Sequence, residues 1–266
     1  MTAQHRSLLE RWYIDHGRHD LAWRHTWDRW EIMVAEVMLA QTQVARVERV
    51  WPAFLEEFPT PDAAVRAGPG ALIAAWGRLG YPRRARRLHD AAAIIVEYGW
   101  PTDLTTLPGI GRYTAGAIRA EADDDPRAIG IDVNIRRVCE RVRDSTQRVA
   151  DTEAVAIHLA RPLVGRDRLW ALMDLGALVC TARNPGCGRC PLRRRCRTRG
   201  ERSTETNSRQ AAYQGSFRQQ RGDVLARLRT EASVPVDDLD PAALASLIAD
   251  GLATIDVRQR LARLPD

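Results

Sequence analysis

Residues 107–118 read Leu-Pro-Gly-Ile-Gly-Arg-Tyr-Thr-Ala-Gly-Ala-Ile, a glycine hairpin running straight into a helix. Leu107 leads in, and Pro108 and Gly109 turn the chain. Gly111 lets the backbone approach a partner closely before a helix starts near Arg112 or Tyr113. The uncapped N–H groups at such a start can hold a phosphate, which grips nucleic acid independently of base sequence. An ordinary turn between helices is the competing reading. The small residues Ala115, Gly116 and Ala117 behind the turn favour the phosphate grip.

Outward from the hairpin, apolar residues recur at helical spacing in 30–44, 87–98, 114–120, 135–142 and 168–181. Pro61, Gly68-Pro69-Gly70, Pro101 and Pro126 punctuate them. Strand signals are nearly absent before residue 200, so the chain reads as all-α there.

Two carboxylates stand out. Asp132 in IGIDVNIRRV precedes a helix whose exposed face is expected to carry Arg136 and Arg137. Capping that helix is its ordinary role. Lying between a DNA-gripping hairpin and an arginine pair, it also suits the stabilisation of cationic charge on a sugar ring. Glu36 falls inside the apolar run IMVAEVML, where an unpaired charge is costly and the carboxyl is expected to hold its proton. A proton donor needs that state. Pairing with Arg24 or Arg29 is the alternative, but Gln41, Thr42 and Gln43 on the following turn suit a DNA-facing surface. One carboxyl protonating a leaving base and another steadying an oxocarbenium-like sugar suits cleavage of an N-glycosidic bond. The base must first leave the duplex.

Cys180, Cys187, Cys190 and Cys196 form C-x6-C-x2-C-x5-C. Four thiols this close suit one metal centre, iron–sulfur or zinc. The single C-x2-C pair departs from the usual two pairs of a structural zinc site. Cys139, at helical spacing with Ile135 and Val142, reads as a buried core thiol.

The chain has 266 residues, net charge +6, and 40 basic residues that are all arginine. A polyanionic partner fits this charge. With no lysine, no side-chain amine exists to form a Schiff base with an abasic sugar. No apolar stretch is long enough to span a membrane, and the charged N-terminus carries no signal-peptide core, so a cytoplasmic location is expected. Past Cys196, residues 197–220 read as a polar linker. A helix, a second helix starting near Asp240 and a hairpin then outline a small winged-helix-like module.

Together EVMLAQTQV, LGYPRRARRLH, LPGIGRYTAGAI, DVNIRRV, LMDLGALVC and the cysteine spacing resemble the endonuclease III superfamily of helix-hairpin-helix DNA glycosylases. Within it the chain most resembles the A/G-specific adenine glycosylases, with the short tail of actinobacterial members. The resemblance covers roughly residues 8–200 and implies two helical domains with the DNA cleft between them. Residues 1–26 would join 133–200 in a domain built on a [4Fe–4S] cluster held by the four cysteines. Residues 27–132 would form a six-helix barrel with the hairpin, and 201–266 the linker and tail module.

By the same resemblance, Glu36 protonates adenine N7, and Asp132 stabilises the sugar cation and positions water. Gln41 and Tyr81 are wedges near the orphan base. Thr42, Leu107, Pro108, Gly109, Gly111 and Arg112 contact DNA. Arg24, Trp27, Trp30, Ala40 and Val133 line the base pocket. Tyr113 occupies the slot where bifunctional members carry a catalytic lysine, which implies a monofunctional enzyme that leaves the abasic site uncut. The implied partner is double-stranded DNA with a mismatched or damaged base, bound by a monomer.

The chain departs from its relatives at Ala40 for the usual glutamine, at Val133 in place of the glycine of DGN, and in a tail too short for a Nudix-like domain. Three activities therefore stay in play. The first is adenine excision opposite 8-oxoguanine or guanine. The second is excision of thymine, uracil or another modified base opposite guanine on the same frame. The third is DNA binding without catalysis.

Overall fold

The computed structural model describes residues 7–144, 149–199 and 212–266. In chain order the long helices are α1 (Leu8–His16), α2 (Arg29–Leu39), α3 (Val44–Glu57), α4 (Pro61–Ala75), α5 (Arg83–Tyr98) and α6 (Arg112–Glu121). They continue with α7 (Val133–Arg143), α8 (Val149–Leu159), α9 (Gly165–Asp174), α10 (Phe217–Thr230) and α11 (Pro241–Ala249). Three short strands, β1 (Val234–Pro235), β2 (Thr254–Asp256) and β3 (Leu261–Arg263), lie near the C-terminus. The chain divides into two units, Met1–Met33 with Gly111–Asn207, and Val34–Ile110 with Ser208–Asp266.

The first unit is built on α9. Helices α1, α6 and α7 pack on it, and α8 packs on α7. Helix α7 shows why: Ile135, Val138, Cys139 and Val142 recur on one face, and all are buried. Two glycines let α6 meet the strand-like approach to α7. A Cβ on Gly116 would lie 2.6 Å from the Ile129 carbonyl oxygen, and one on Gly130 would lie 2.7 Å from that of Tyr113. Helix α9 runs on into a π-helical turn, Leu175–Val179, closed by the Cys180 N–H on the Leu175 carbonyl at 2.7 Å.

At the end of α9, Asp174 is fully buried and anchors two arginines. Arg24 donates to both carboxylate oxygens at 2.7 and 2.9 Å, and Arg18 donates through its backbone N–H and Nε, each at 2.8 Å. Burial pushes this carboxyl up, and the hydrogen bonds and charges of the two arginines more than reverse it, leaving it below its ordinary value.

In the second unit α4 and α5 pack together. The aromatic centre pairs Phe54 with Phe58 at 4.8 Å and sets Trp76 edge-on to Phe54 at 6.1 Å. Gly68-Pro69-Gly70, expected to separate helices, instead kinks α4, with Gly68 at φ 82°. The helix expected over 30–44 stops at Leu39, and Gln41 turns at φ 59°.

The tail module belongs to this unit. Helix α10 already begins at Phe217, inside the stretch read as linker, whose residues 200–211 lie outside the described residues. Asp240 caps α11, and Gly251 at φ 67° follows it. Strand β3 is central, antiparallel to β1 and β2 in the order β1-β3-β2. Strand β1 has no counterpart in the sequence reading. It is two residues long, too short to leave a pattern.

Four contacts hold the module to α4 and α5. Arg229 Nε donates to the Ile73 carbonyl at 3.0 Å, and Arg86 donates to that of Gly251 at 3.2 Å. Asp250 accepts from Arg83 and Arg221 at 3.3 and 2.5 Å. The Pro265 carbonyl lies where any Cβ on Gly70 would clash, 2.2 Å away. Residues 212–266 hold seven arginines against eight acidic side chains. Arg221, Arg227, Arg260 and Arg263 pair with acidic side chains of the module, and Arg229 with α4.

Candidate active site

The hairpin is anchored from below and open above. Leu107 and Ile110 are buried, and the Ile110 N–H bonds the Leu107 carbonyl at 3.1 Å. Gly109 sits at φ 82°, with the Arg87 side chain 3.1 Å from where a Cβ would stand. Pro108 is partly exposed. Gly111 caps α6 without a side chain, lies open to solvent and is followed by exposed Arg112. The first N–H groups of α6 thus have no side-chain acceptor at the cap, which suits an anion.

Gly130 carries the chain past the Tyr113 carbonyl to Asp132. Asp132 caps α7, with Oδ1 accepting the Ile135 N–H and Oδ2 the Asn134 side-chain amide, both at 2.7 Å. Asn134 is held in turn by Arg137 at 2.7 Å, and Arg137 also donates to the carbonyls of Gly176 and Cys180 at 2.8 and 2.6 Å. Burial pushes the Asp132 carboxyl above its ordinary value, opposed by those hydrogen bonds and by the Arg137 charge. Arg137 was expected on the exposed face of α7 and is instead buried, because its length lets it reach carbonyls about forty residues away. Val133, beside Asp132, is 66% exposed.

Glu36 is buried in the middle of α2, flanked by Ile32, Met33, Val34, Ala35 and Met38. Beyond the helix end, exposed Ala40, half-buried Thr42 and exposed Tyr81 come together around Arg84, and Gln41, between the first two, is exposed. Of the residues assigned to the base pocket, Arg24 is committed to Asp174 and also lies over the Trp170 ring at 5.1 Å. Trp27 is 57% exposed, with the Arg166 guanidinium stacked 3.3 Å from its ring centre. Trp30 is buried, and its N–H is held by the Asp28 carboxylate at 2.8 Å, which caps the start of α2. Arg29 pairs with Asp123 at 2.7 Å. Arg84, Arg166 and Asp174 have no mark in the sequence, where nothing sets one arginine among 40 apart as buried.

The expected [4Fe–4S] domain does not fit this arrangement, and neither does zinc. Among the described residues no group of three or more His, Cys, Asp or Glu side chains is set to hold a metal ion. Cys180, Cys187, Cys190 and Cys196 line one cavity. Arg141 occupies two of the sulfurs: its Nη1 donates to Cys180 at 3.5 Å, and its carbonyl accepts from Cys196 at 3.4 Å. Burial pushes the Cys187 thiol up and that of Cys190 up to about 11. Sequence spacing brought the cysteines to one place without converging their sulfurs. Cys139 is buried in the core, as its spacing predicts, with its thiol pushed up to about 12.

A helix-hairpin-helix turn feeding a capped catalytic-type aspartate defines a DNA glycosylase frame. Residues 34–163 match the HhH-GPD superfamily of base excision DNA repair proteins. The chain is 44% identical to an adenine DNA glycosylase of Mycolicibacterium smegmatis over 94% of each chain. It is 39% identical to one from Mycobacterium tuberculosis strain H37Rv, covering 94% of this chain and 90% of the relative. A solved thermostable thymine-DNA glycosylase superposes with TM-score 0.65 at 25% identity, over 73% of this chain and 94% of its own. The chain belongs to the adenine DNA glycosylase family of the HhH-GPD superfamily, and is a monofunctional DNA N-glycosylase of base excision repair.

Proposed function

We propose that this protein hydrolyses the N-glycosidic bond of adenine mispaired with 8-oxoguanine or guanine in double-stranded DNA. The hairpin N–H groups and Arg112 take a backbone phosphate, and the target base leaves the stack. Glu36 gives its proton to a ring nitrogen of the departing base. The bond from C1′ breaks, its electron pair leaves with the base, and the sugar becomes an oxocarbenium ion. The Asp132 carboxylate stabilises that cation and orients the water that adds to C1′.

The observation that carries this reading is the Asp132 geometry. Two hydrogen bonds fix its carboxylate at the start of α7, and no lysine exists in the chain to attack the sugar instead. The alternative of thymine or uracil excision opposite guanine draws on the thymine-DNA glycosylase likeness and on Ala40 and Val133. Base release from labelled A·8-oxoG, A·G, T·G and U·G duplexes decides between them. Adenine release supports the proposal, release of thymine or uracil alone replaces it with the alternative, and no release from any duplex refutes both.

A further inference from the structure

Arg84 joins two turns that are far apart in sequence. Its Nη1 donates to the carbonyls of Val37, Met38 and Ala40 at 2.7, 3.0 and 2.6 Å. These are among the orphan carbonyls at the end of α2, the negative end of its dipole. Its Nη2 donates to Thr42 Oγ1 and to the carbonyls of Leu79 and Gly80, at 3.0, 3.4 and 3.0 Å. Thr42 Oγ1 and Trp76 Nε1 cross-brace the same loop, bonding the Leu79 and Gly80 carbonyls at 3.3 and 3.0 Å. The guanidinium also lies against the rings of Trp76 and Tyr81, at 5.3 and 5.5 Å. Burial lowers its pKa to about 10, so it stays cationic at neutral pH.

Both turns are strained, and both expose one large side chain. Gln41 sits at φ 59° and Tyr81 at φ 48°, a region that residues with a Cβ rarely adopt. A helix cap alone would involve only the end of α2. Arg84 instead ties the residues on either side of Gln41 to the turn that carries Tyr81 through one rigid planar group.

We infer that Arg84 is a positioning residue that holds Gln41 and Tyr81 at a fixed spacing as a paired wedge. Base extrusion depends on it, and bond cleavage does not. The inference rests on the proposed glycosylase reading, in which those two side chains enter DNA.

The test is single-turnover adenine release from an A·8-oxoG duplex and from the same strand with its adenine in an unpaired bubble. Arg84→Met is expected to slow duplex release by about tenfold to a hundredfold, since unstacking a base costs a few kcal/mol. Bubble release should change less than about threefold, and Arg84→Lys should recover part of the duplex rate. Fluorescence of 2-aminopurine beside the target should show the lost unstacking directly. If Arg84→Met does not fold, Arg84→Lys carries the comparison with smaller losses of the same pattern. Equal losses on both substrates, or none on either, overturn the inference. Gln41→Ala and Tyr81→Ala run in parallel. If they slow duplex release while the Arg84 variants do not, the inference alone fails. If they change nothing, the wedge assignment beneath it fails. A wild-type protein that releases no adenine refutes the functional reading itself.

Discussion

Half-buried Asp132 and fully buried Asp174 are aspartates of the same unit, and their carboxyls shift in opposite directions. Asp174, at the end of α9, faces two guanidiniums. Asp132, at the start of α7, faces a backbone N–H and an amide, with Arg137 acting on it mainly through Asn134. Full ionic pairing makes a carboxylate structural: its charge is already neutralised and has nothing left to offer a substrate. Neutral hydrogen-bond donors fix a carboxylate's position while leaving its charge uncompensated, which is what a transient sugar cation requires. The chemistry of the partners separates the two roles.

Substitutions at the two positions should therefore separate stability from activity. Asp174→Asn leaves Arg24 buried without its counter-charge and should cost about 3–5 kcal/mol of unfolding free energy, read by denaturant titration. A loss below about 1 kcal/mol would show that the pair is not structural. Asp132→Asn should slow single-turnover base release by roughly 10²–10³-fold while costing only about 1 kcal/mol of stability, the scale of a helix cap. Unchanged release would remove Asp132 from the mechanism. Gly116→Ala should cost about 1–3 kcal/mol, because the new methyl would meet a backbone carbonyl. A neutral result would mean that α6 does not need its close approach to Ile129.

The smallest effects are in pH dependence, and they carry opposite signs. The Asp174 carboxyl lies lower folded than unfolded, so its stabilisation is present above the ordinary aspartate range and is lost as pH falls through its lowered value. The Asp132 carboxyl lies higher folded, so what it contributes to stability is present at low pH and lost as pH rises through its raised value. Base release, which needs ionised Asp132, should fall on acidification with a midpoint above the ordinary aspartate value. Thermal melts of wild type and Asp174→Asn across pH 2–6, beside rates over the same range, expose both trends. A common direction would break the contrast.

Local signals in the sequence were readable because their partners lie within a turn or two. The hairpin, the α7 face and the caps at Asp132 and Asp240 all follow from neighbouring residues. What escaped were the long-range arginines. Arg84 reaches back to residues 37–42, Arg137 reaches Gly176 and Cys180, and Arg24 reaches Asp174 across 150 positions. An arginine's reach makes its partner a property of packing, which leaves no period in the sequence. The cysteines mark the same limit from the other side: close spacing placed them around one cavity, but Arg141, a long way off in sequence, engages the sulfurs of Cys180 and Cys196.

The most direct measurement is strand integrity after base release. A labelled A·8-oxoG duplex is incubated with the protein, with and without borohydride, and split into alkali-treated and untreated halves. The account predicts adenine loss with an intact strand, breaks only after alkali, and no borohydride-trapped adduct. Breaks without alkali, or a trapped covalent complex, would contradict hydrolysis by carboxylates alone.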